Sequence, residues 1–251
     1  MLSSGEIKLI RSLKEKKFRD AEGLFVVEGE KMVAEAGKSG FKIEKIFFRD
    51  GEDGIGEAAM SKISMLSSPS PALAVVRKPE GLISDKPAEL LSDKGLYLAL
   101  DSIRDPGNLG TIIRICDWFG IEGIIASQDT VDVFNPKVVQ STMGAVFRVP
   151  FHYASVPELC IEAVKAGGKV YGTFLDGEDI YGKELSAGTS APDVVIIGNE
   201  SDGISQQTAA FVTERLFIPP YPSDRKGSES LNAAVASAVT LAEFRRRGRR
   251  R

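Results

Sequence analysis

Arg114 is the only charged residue in the segment Thr111-Ile-Ile-Arg-Ile-Cys116. An unpaired guanidinium is costly to bury, so its apolar neighbours indicate that an anionic group lies against it. The chain offers Asp105, Asp117 and Glu200 as ion-pair partners, and a phosphate group of a ligand is the other possibility. Arginine keeps its proton near neutral pH, so this residue is suited to orient or stabilise an anion rather than to act as a general base.

Short polar side chains adjoin apolar segments at two other places. Gly198-Asn-Glu200 follows an apolar run that predicts a strand. A Pro-rich loop and then Ser228-Glu-Ser-Leu-Asn232 lead into residues 231–244, which are almost all small or apolar. Ser228 or Ser230 is suited to cap a helix here, so that its free N–H groups and the positive end of its dipole face the loop.

The predicted helix 231–244 is apolar on nearly every side. A helix of this kind is buried on more than one face. This fits an ordinary core helix, and it also fits a helix that packs on its own domain and on a second copy of the chain. Its alanines and serines would let two backbones approach closely, as the seam of a homodimer requires.

Three segments, taken together and in this order, resemble the three signature motifs of the SpoU (TrmH-type) RNA ribose methyltransferases of the SPOUT superfamily. They are residues 98–120 with Asp105-Pro-Gly-Asn-Leu-Gly110 and Arg114, residues 194–205 with Gly198-Asn-Glu200, and residues 218–244 with Ser230-Leu-Asn232. The resemblance covers residues from about 95 to 245. It implies an enzyme that uses S-adenosylmethionine to methylate the 2′-hydroxyl of a ribose in RNA.

The resemblance also implies roles for individual residues. Arg114 matches the catalytic arginine, which we expect to orient the hydroxyl and a phosphate and to stabilise the charge that builds on the attacking oxygen during in-line displacement. The polar positions around that arginine correspond to Asn108, Glu200, Ser230 and Asn232, and Glu200 could hold Arg114 in place. The pocket for the methyl donor corresponds to Gly198, Asn199, Ile218 and Leu231, which would act mainly through main-chain atoms.

From Leu96 onward, segments that predict strands alternate with segments that predict helices. This alternation indicates an α/β fold with a mostly parallel sheet. On its own, the periodicity suggests a Rossmann-like open sheet. The resemblance adds a deep C-terminal trefoil knot and a homodimer formed through this domain.

Residues 1–85 predict a separate, small α/β domain, followed by a polar linker, 86–94, and by the methyltransferase domain, 95–251. Residues 4–19 predict a basic helix. The stretch 17–31 resembles the substrate-binding domain that precedes the catalytic domain in several ribosomal-RNA members of the family. We therefore expect this leading domain to bind RNA.

The net charge of −3 is unusual for a protein that binds nucleic acid. Local patches, rather than total charge, set the affinity for phosphates. A solvated helix face is the alternative for the basic cluster near the start, and the sequence leaves open whether the arginine tail 245–251 binds RNA. We predict that the first cluster binds RNA through Lys8, Arg11, Lys14, Lys16, Lys17 and Arg19.

Other kinds of site fit the sequence poorly. Cys116 and Cys160 lie in separate apolar segments without metal-ligand spacing, so we expect no metal site and two buried, reduced thiols in a cytoplasmic protein. Gly54-Ile-Gly-Glu-Ala-Ala59 matches a dinucleotide fingerprint, but Glu52 and Asp53 precede it and would repel a pyrophosphate. No apolar run approaches the length of a membrane span.

The RNA substrate is only partly predictable. The leading domain favours ribosomal RNA, whereas the basic tail could equally hold tRNA. A non-catalytic RNA-binding relative and a base-modifying SPOUT enzyme are further alternatives, but the polar set around Arg114 favours ribose methylation. Two departures from the family pattern affect substrate contacts: Gln140 replaces a residue that is basic in many relatives, and the loop 220–227 is longer.

Overall fold

The computed structural model describes residues 2–222 and 230–248. The chain divides into two compact units. The first consists of the residues up to Glu80 and of Asp132–Arg148, and the second consists of Gly81–Val131 and the residues from Val149 onward. The chain therefore passes between the units three times.

Helices and strands alternate along most of the described chain. The α-helices are α1 (Ser4–Ser12), α2 (Lys16–Glu22), α3 (Glu30–Lys38), α4 (Glu57–Ile63), α5 (Pro106–Phe119), α6 (Pro136–Thr142), α7 (Val156–Lys165), α8 (Gln206–Ala209) and α9 (Ala233–Gly248). The strands are β1 (Leu24–Glu28), β2 (Ile43–Phe48), β3 (Ala72–Arg77), β4 (Gly95–Leu100), β5 (Gly123–Ala126), β6 (Phe151–Tyr153), β7 (Val170–Asp179), β8 (Pro192–Ile197) and β9 (Glu214–Phe217).

In the first unit, three antiparallel strands form a sheet in the order β1-β3-β2. Val26 lies opposite Val75 in this sheet. Both belong to a buried apolar cluster with Ile10 of α1 and with Met60 and Ile63 of α4. The apolar side chains of these two short helices thus cover one face of the sheet.

Arg19 is enclosed in the first unit, where it is 1% exposed. Its Nε lies 2.9 Å from Oδ2 of Asp132, and its Nη1 donates to the carbonyl oxygens of Leu13 and Lys14 at 2.8 Å each. These two carbonyls lie where the predicted helix over 4–19 is interrupted, so that α1 and α2 are separate helices. Contrary to the prediction, Arg19 is not available to RNA, because its guanidinium is satisfied inside the protein.

Aromatic contacts hold the segment Asp132–Arg148 in the first unit. The ring centroids of Phe25 and Phe134 are 4.3 Å apart, and those of Phe41 and Phe147 are 5.2 Å apart. Phe25 and Phe134 are both fully buried. Along the chain this segment lies between strands of the methyltransferase domain, 95–251, to which the sequence pattern alone assigns it.

We expect Asp132→Ala to lower the free energy of unfolding by about 3–5 kcal/mol, because it leaves the buried Arg19 without a counter-charge. Urea unfolding followed by circular dichroism measures this loss. The double variant Arg19→Met, Asp132→Ala removes the stranded charge as well and should be more stable than the single variant. A double variant no more stable than Asp132→Ala would show that the unpaired charge is not the cause.

In the second unit, six strands form one sheet in the order β6-β5-β4-β8-β7-β9. Every neighbouring pair is parallel. At the centre, Leu98 of β4 lies opposite Ile124 of β5 and Val195 of β8. The predicted α/β fold with a mostly parallel sheet is confirmed, and the trefoil knot stays a prediction.

Helices cover both faces of this sheet. Val170 of β7 belongs to a buried cluster with Leu159 and Cys160 of α7. The next residue, Tyr171, points to the other face, where its ring centroid lies 4.8 Å from that of Phe244 in α9. Since α5 packs on α9, these two helices cover the face opposite α7.

Both cysteines are free and buried, as predicted. Burial raises the pKa of the Cys116 thiol far above its usual range, and it raises the pKa of Cys160 to about 12. Neither thiol is therefore ionised near neutral pH. Among the described residues, no cluster of side chains could hold a metal ion, and no helix is long and apolar enough to cross a membrane.

Candidate active site

The loops that follow β4 and β8 lie side by side because these strands are neighbours in the sheet. Leu100 at the end of β4 pairs with Ile197 at the end of β8. Asn199 donates from Nδ2 to the carbonyl oxygen of Ser102 at 2.8 Å, although the two residues are 97 positions apart. Parallel strands all end at the same edge of a sheet, so the loop that begins at Ile218, after β9, opens at this edge too.

Three of the predicted polar residues form a hydrogen-bonded chain at this edge, which we call the polar network. Nδ2 of Asn108 donates to Oε1 of Glu200. Nδ2 of Asn232 donates to Oδ1 of Asn108 at 2.9 Å. Asn108 lies in the first turn of α5, Glu200 lies in the loop after β8, and Asn232 precedes α9. The polar network therefore joins all three motif segments.

Asn232 also begins helix α9. Its Oδ1 accepts from two N–H groups of the first turn, at 3.0 and 3.4 Å. Asn232 rather than Ser230 caps this helix, because the helix starts at Ala233 and not at residue 231. Ser228, the other predicted cap, lies outside the described residues.

The loop after β8 is closed on itself by Asn199. Asn199 and Gly203 exchange two main-chain hydrogen bonds of 3.0 Å, and Oδ1 of Asn199 accepts from the N–H of Ser201 at 2.8 Å. Gly198 has no room for a side chain, because a Cβ there would lie 2.2 Å from the carbonyl carbon of Gly203. These residues set the shape of the loop, on which any main-chain contact with a methyl donor would depend.

The remaining predicted donor residues lie on either side of an undescribed segment. Ile218 is partly buried, whereas Ser230 and Leu231 are exposed. Residues 223–229, which include most of the longer loop over 220–227, lie outside the described residues. The roles of Gly198, Asn199, Ile218 and Leu231 in donor binding stay predictions, as does the role of Ser230.

Arg114 is not part of the polar network. It is exposed and, within residues 2–222 and 230–248, it makes no hydrogen bond or ion pair. Glu200, which the sequence suggested as its partner, is bonded to Asn108 instead. Six positions after Asn108 on α5, Arg114 lies about 9 Å further along the helix axis and about 120° away around it. Within one subunit, the two side chains therefore leave the helix on different faces.

Strand β7 also ends at the candidate site, although no motif pointed to it. It lies between β8 and β9 in the sheet. Its pairing with β9 extends to Thr173 and resumes at Glu178. In the intervening residues, 174–177, the ring of Phe174 lies 3.5 Å from the guanidinium carbon of Arg215. The order of strands in a sheet leaves no periodic signal in the sequence, so these residues could not be found from it.

The basic residues near the start of the chain are open to solvent apart from Arg19. Lys8, Arg11, Lys14, Lys16 and Lys17 are all exposed. Of these five, within the described chain, Lys16 and Lys17 form ion pairs, at 2.7 and 3.1 Å, with exposed carboxylates. Exposed ion pairs contribute little free energy, so a phosphate can replace such carboxylates.

The described part of the arginine tail is bonded to the protein itself. Nε of Arg245 donates to the carbonyl oxygen of Phe119 at 2.7 Å, at the end of α5 where the helix dipole favours a cation. Arg246 and Arg247 both pair with Glu243. Hydrogen bonds from these guanidinium groups, that of Arg246 first, hold the pKa of Glu243 below its usual range.

Two families of known proteins match the chain. Residues 95–242 match the SpoU rRNA Methylase family, and residues 5–74 match the MRM3-like substrate binding domain. The chain is 32% identical to the 23S rRNA (guanosine(2553)-2′-O)-methyltransferase of Bacillus subtilis, over 96% of each chain. It is 26% identical to the mitochondrial rRNA methyltransferase 3 of Homo sapiens, over 95% of this chain and 71% of that protein.

Two solved structures of RNA methyltransferases are also similar to this chain. A proposed RNA methyltransferase of the TrmH family from Porphyromonas gingivalis is 36% identical, with a TM-score of 0.85 and coverage of 98% of this chain and 99% of that one. The rRNA methyltransferase of Sinorhizobium meliloti with bound AdoMet is 31% identical, with a TM-score of 0.84 and coverage of 98% and 96%.

Asn232 combines two interactions that two substitutions can separate. Asn232→Ala removes both the helix cap and the bond to Asn108, so we expect the free energy of unfolding to fall by about 1 kcal/mol and the activity to fall too. Asn232→Ser keeps a capping oxygen, so its stability should stay near that of the wild type while its activity falls. Thermal unfolding and methyl transfer to RNA measure the two effects. Full activity of Asn232→Ser would show that Asn232 acts only as a cap.

Proposed function

Because the chain belongs to the SpoU rRNA methylase family, we propose that it transfers a methyl group to the 2′-hydroxyl of a ribose in ribosomal RNA. As a member of this family it is an S-adenosylmethionine-dependent RNA 2′-O-methyltransferase. The polar network carries the proposal, since it joins Asn108, Glu200 and Asn232 from the three motif segments at one edge of the sheet.

The first unit supports ribosomal RNA as the substrate. Residues 5–74 match a substrate-binding domain, and the relative from Bacillus subtilis, which is named as a 23S rRNA methyltransferase, is similar over both units. The exposed cations of α1 and α2 would meet phosphates of a folded RNA without reading its sequence. We propose that the reaction takes place in the cytoplasm, where both buried thiols would stay reduced.

Arg114 is the proposed electrostatic catalyst. In an in-line displacement, the 2′-oxygen would bond to the methyl carbon as the carbon–sulfur bond breaks and S-adenosylhomocysteine leaves. The hydroxyl would lose its proton to solvent water, so negative charge would develop on the 2′-oxygen. A guanidinium keeps its proton throughout, so it would stabilise this charge and orient the hydroxyl or a neighbouring phosphate. Its exposure leaves it accessible to such an anion.

The polar network would position the reacting groups. The side chain of Asn108 is fixed at both ends, by Glu200 and by Asn232, so it would hold a ribose with little loss of conformational entropy. Main-chain groups at Gly198, Ile218 and Leu231 would hold the methyl donor, and Asn199 would maintain the loop that carries Gly198. Ser230 would add a hydroxyl at the same edge of the sheet.

A homodimer would bring Arg114 to the polar network of the partner. Trp118, one turn after Arg114 on α5, is 85% exposed, and Val235 at the start of α9 is 49% exposed. Large apolar side chains that are exposed on two helices packed together are typical of an interaction surface. We propose that α5 and α9 pack on the same helices of a second copy, and that each active site takes Arg114 from one copy and Asn108 from the other.

Mass spectrometry of RNA nucleosides from cells with and without the gene tests the proposed function. We expect one 2′-O-methylnucleoside of ribosomal RNA to disappear with the gene and to return with the wild-type copy. Loss of a 2′-O-methylnucleoside from tRNA instead would replace the substrate. If no such nucleoside depended on the gene while the purified protein bound donor and RNA, the protein would be a non-catalytic RNA-binding relative.

We expect Arg114→Ala to lower kcat by roughly 100-fold or more and to leave the Kd for S-adenosylmethionine nearly unchanged, because the lost contact acts mainly in the transition state. Single-turnover kinetics and calorimetry measure the two quantities. Arg114→Lys keeps the charge without the planar fork and should retain part of the rate. A donor affinity that fell in step with kcat would assign Arg114 to donor binding.

Mixed dimers test whether each site is built from two copies. Arg114→Ala and Glu200→Ala should each be inactive as pure dimers, whose assembly light scattering establishes. If the sites are shared, subunit exchange between equal amounts should restore roughly a quarter of wild-type activity, since half of the dimers then hold one intact site of two. No recovery after confirmed exchange would place Arg114 in the site of its own subunit.

A further inference from the structure

A cleft of about 670 Å³ opens at the carboxyl ends of β4, β5 and β6. Its lining consists of residues that follow these strands and of the start of α8. None of the four predicted donor-binding residues, Gly198, Asn199, Ile218 and Leu231, lines it. Ligand pockets commonly measure about 300–1,000 Å³, so the cleft is large enough for a nucleotide.

The position of the cleft in the sheet favours ligand binding. From β4 the chain continues to β5 and β6 on one side, whereas β8, β7 and β9 lie on the other. Open parallel sheets commonly bind ligands where the strand order reverses in this way, because the loops diverge and leave a crevice. Asp101 in the cleft bonds to Ser205 and Ser102 bonds to Asn199, so the loop after β8 separates the cleft from the polar network.

Glutamine side chains dominate the exposed part of the lining. The sequence contains four glutamines, and Gln128, Gln206 and Gln207 line this one cleft. All three are exposed, and their side chains make no hydrogen bond within the described part of the chain. A primary amide presents a donor beside an acceptor, which is the pattern with which glutamine pairs with the edge of a nucleobase.

Two carboxylates in the lining make the cleft unfavourable for a phosphate group. Asp101 is 5% exposed and accepts the N–H of Ser205 at 2.9 Å. Asp129 accepts hydrogen bonds from the hydroxyl groups of Ser102 and Ser127. Fixed negative charges repel a phosphate, but they accept hydrogen bonds from ribose hydroxyls and from the amino groups of bases.

A cation lies at the rim of the cleft. The side chain of Arg104 is 66% exposed, and its Nη2 lies 3.9 Å from Oδ2 of Asp129, which is beyond hydrogen-bond distance. Arg104 lies on the short loop between Ser102, which lines the cleft, and Asn108, which belongs to the polar network. A phosphate between these two places would meet its guanidinium.

We propose that this cleft receives the base and ribose of the RNA nucleotide next to the one that is methylated, with the phosphate between them on Arg104. The inference rests on the proposed function, because it requires an RNA strand at the polar network. Single-stranded RNA is recognised by unstacked bases that are read on their edges. The glutamine amides would therefore select the sequence beside the target ribose.

A titration with nucleoside 5′-monophosphates tests whether the cleft takes a nucleotide. Single substitutions assign the side-chain amide signals of the four glutamines in ¹H–¹⁵N spectra. With the donor pocket saturated by S-adenosylhomocysteine, we expect the signals of Gln128, Gln206 and Gln207 to shift. The signal of Gln140, in the first unit, should not shift. Three unchanged cleft signals would overturn the inference.

Two variants test whether the occupant is the substrate RNA. Arg104→Ala removes the rim cation, and Gln128→Trp fills the cleft. For each, we expect the Kd for the ribosomal RNA fragment that carries the methylated nucleotide to rise about tenfold, with an unchanged Kd for S-adenosylmethionine. Lys165→Ala is the matched control, because it removes the same charge from an exposed position at the other end of α7, about 14 Å away along the helix axis. Its Kd for RNA should stay near that of the wild type.

Equal Kd values for Arg104→Ala and Lys165→Ala would overturn the proposal. A Gln128→Trp variant that bound RNA like the wild type would overturn it too. If the glutamine signals nevertheless shifted in the nucleotide titration, the cleft would hold free nucleotides and not the substrate RNA. Filter binding measures the Kd without turnover. Failure of the proposed function would show itself differently, as the absence of methyl transfer by the wild-type protein.

Discussion

The pairing of β8 with β4 is the constraint that places every part of the candidate site. It sets the loop after Ile197 beside the loop after Leu100, where Asn199 reaches the carbonyl oxygen of Ser102. A shift of β8 by one residue would turn its buried side chains to the opposite face. The carboxylate of Asp193 in β8 accepts from the N–H groups of Lys169 at 2.8 Å and Gly188 at 2.6 Å, contacts that such a shift would break. The register in turn fixes the loop that carries Glu200.

The polar network is fixed by hydrogen bonds within one subunit, whereas the side chain of Arg114 is not. One N–H and the carbonyl oxygen of the Asn108 side chain are bonded to protein groups, so its position is set before any substrate arrives, and its second N–H would donate to the substrate. Within a single subunit, the side chain of Arg114 is exposed to solvent and keeps its conformational freedom. Coverage by a second copy would desolvate its guanidinium and strengthen its attraction to a developing negative charge. The proposed dimer would thus assign positioning to one subunit and charge stabilisation to the other.

The motifs predicted that Asn108, Glu200 and Asn232 meet, and the alternation of apolar segments predicted the parallel sheet. The contacts within the site were harder to predict. Glu200 was expected to hold Arg114, but helix geometry turns that arginine away from it. Arg19 continues a row of cations in the sequence, and nothing local indicates that it pairs with Asp132, 113 positions later. Contacts of this range leave no periodic signal, so the burial of Arg19 could not be foreseen.

The ion pair between Arg19 and Asp132 also determines which residues make up the first unit. Asp132 and Phe134 lie between β5 and β6 along the chain, yet they are buried with Arg19 and Phe25 in the first unit. The leading domain is therefore completed by a piece of the catalytic half of the sequence, and a cut near residue 85 would leave that piece without its core. An RNA bound to α1 and α2, as proposed, would contact a unit that includes Asp132–Arg148. Both ends of this segment continue directly into the second unit, at Val131 after β5 and at Val149 before β6, so no single cut in the chain separates the two units.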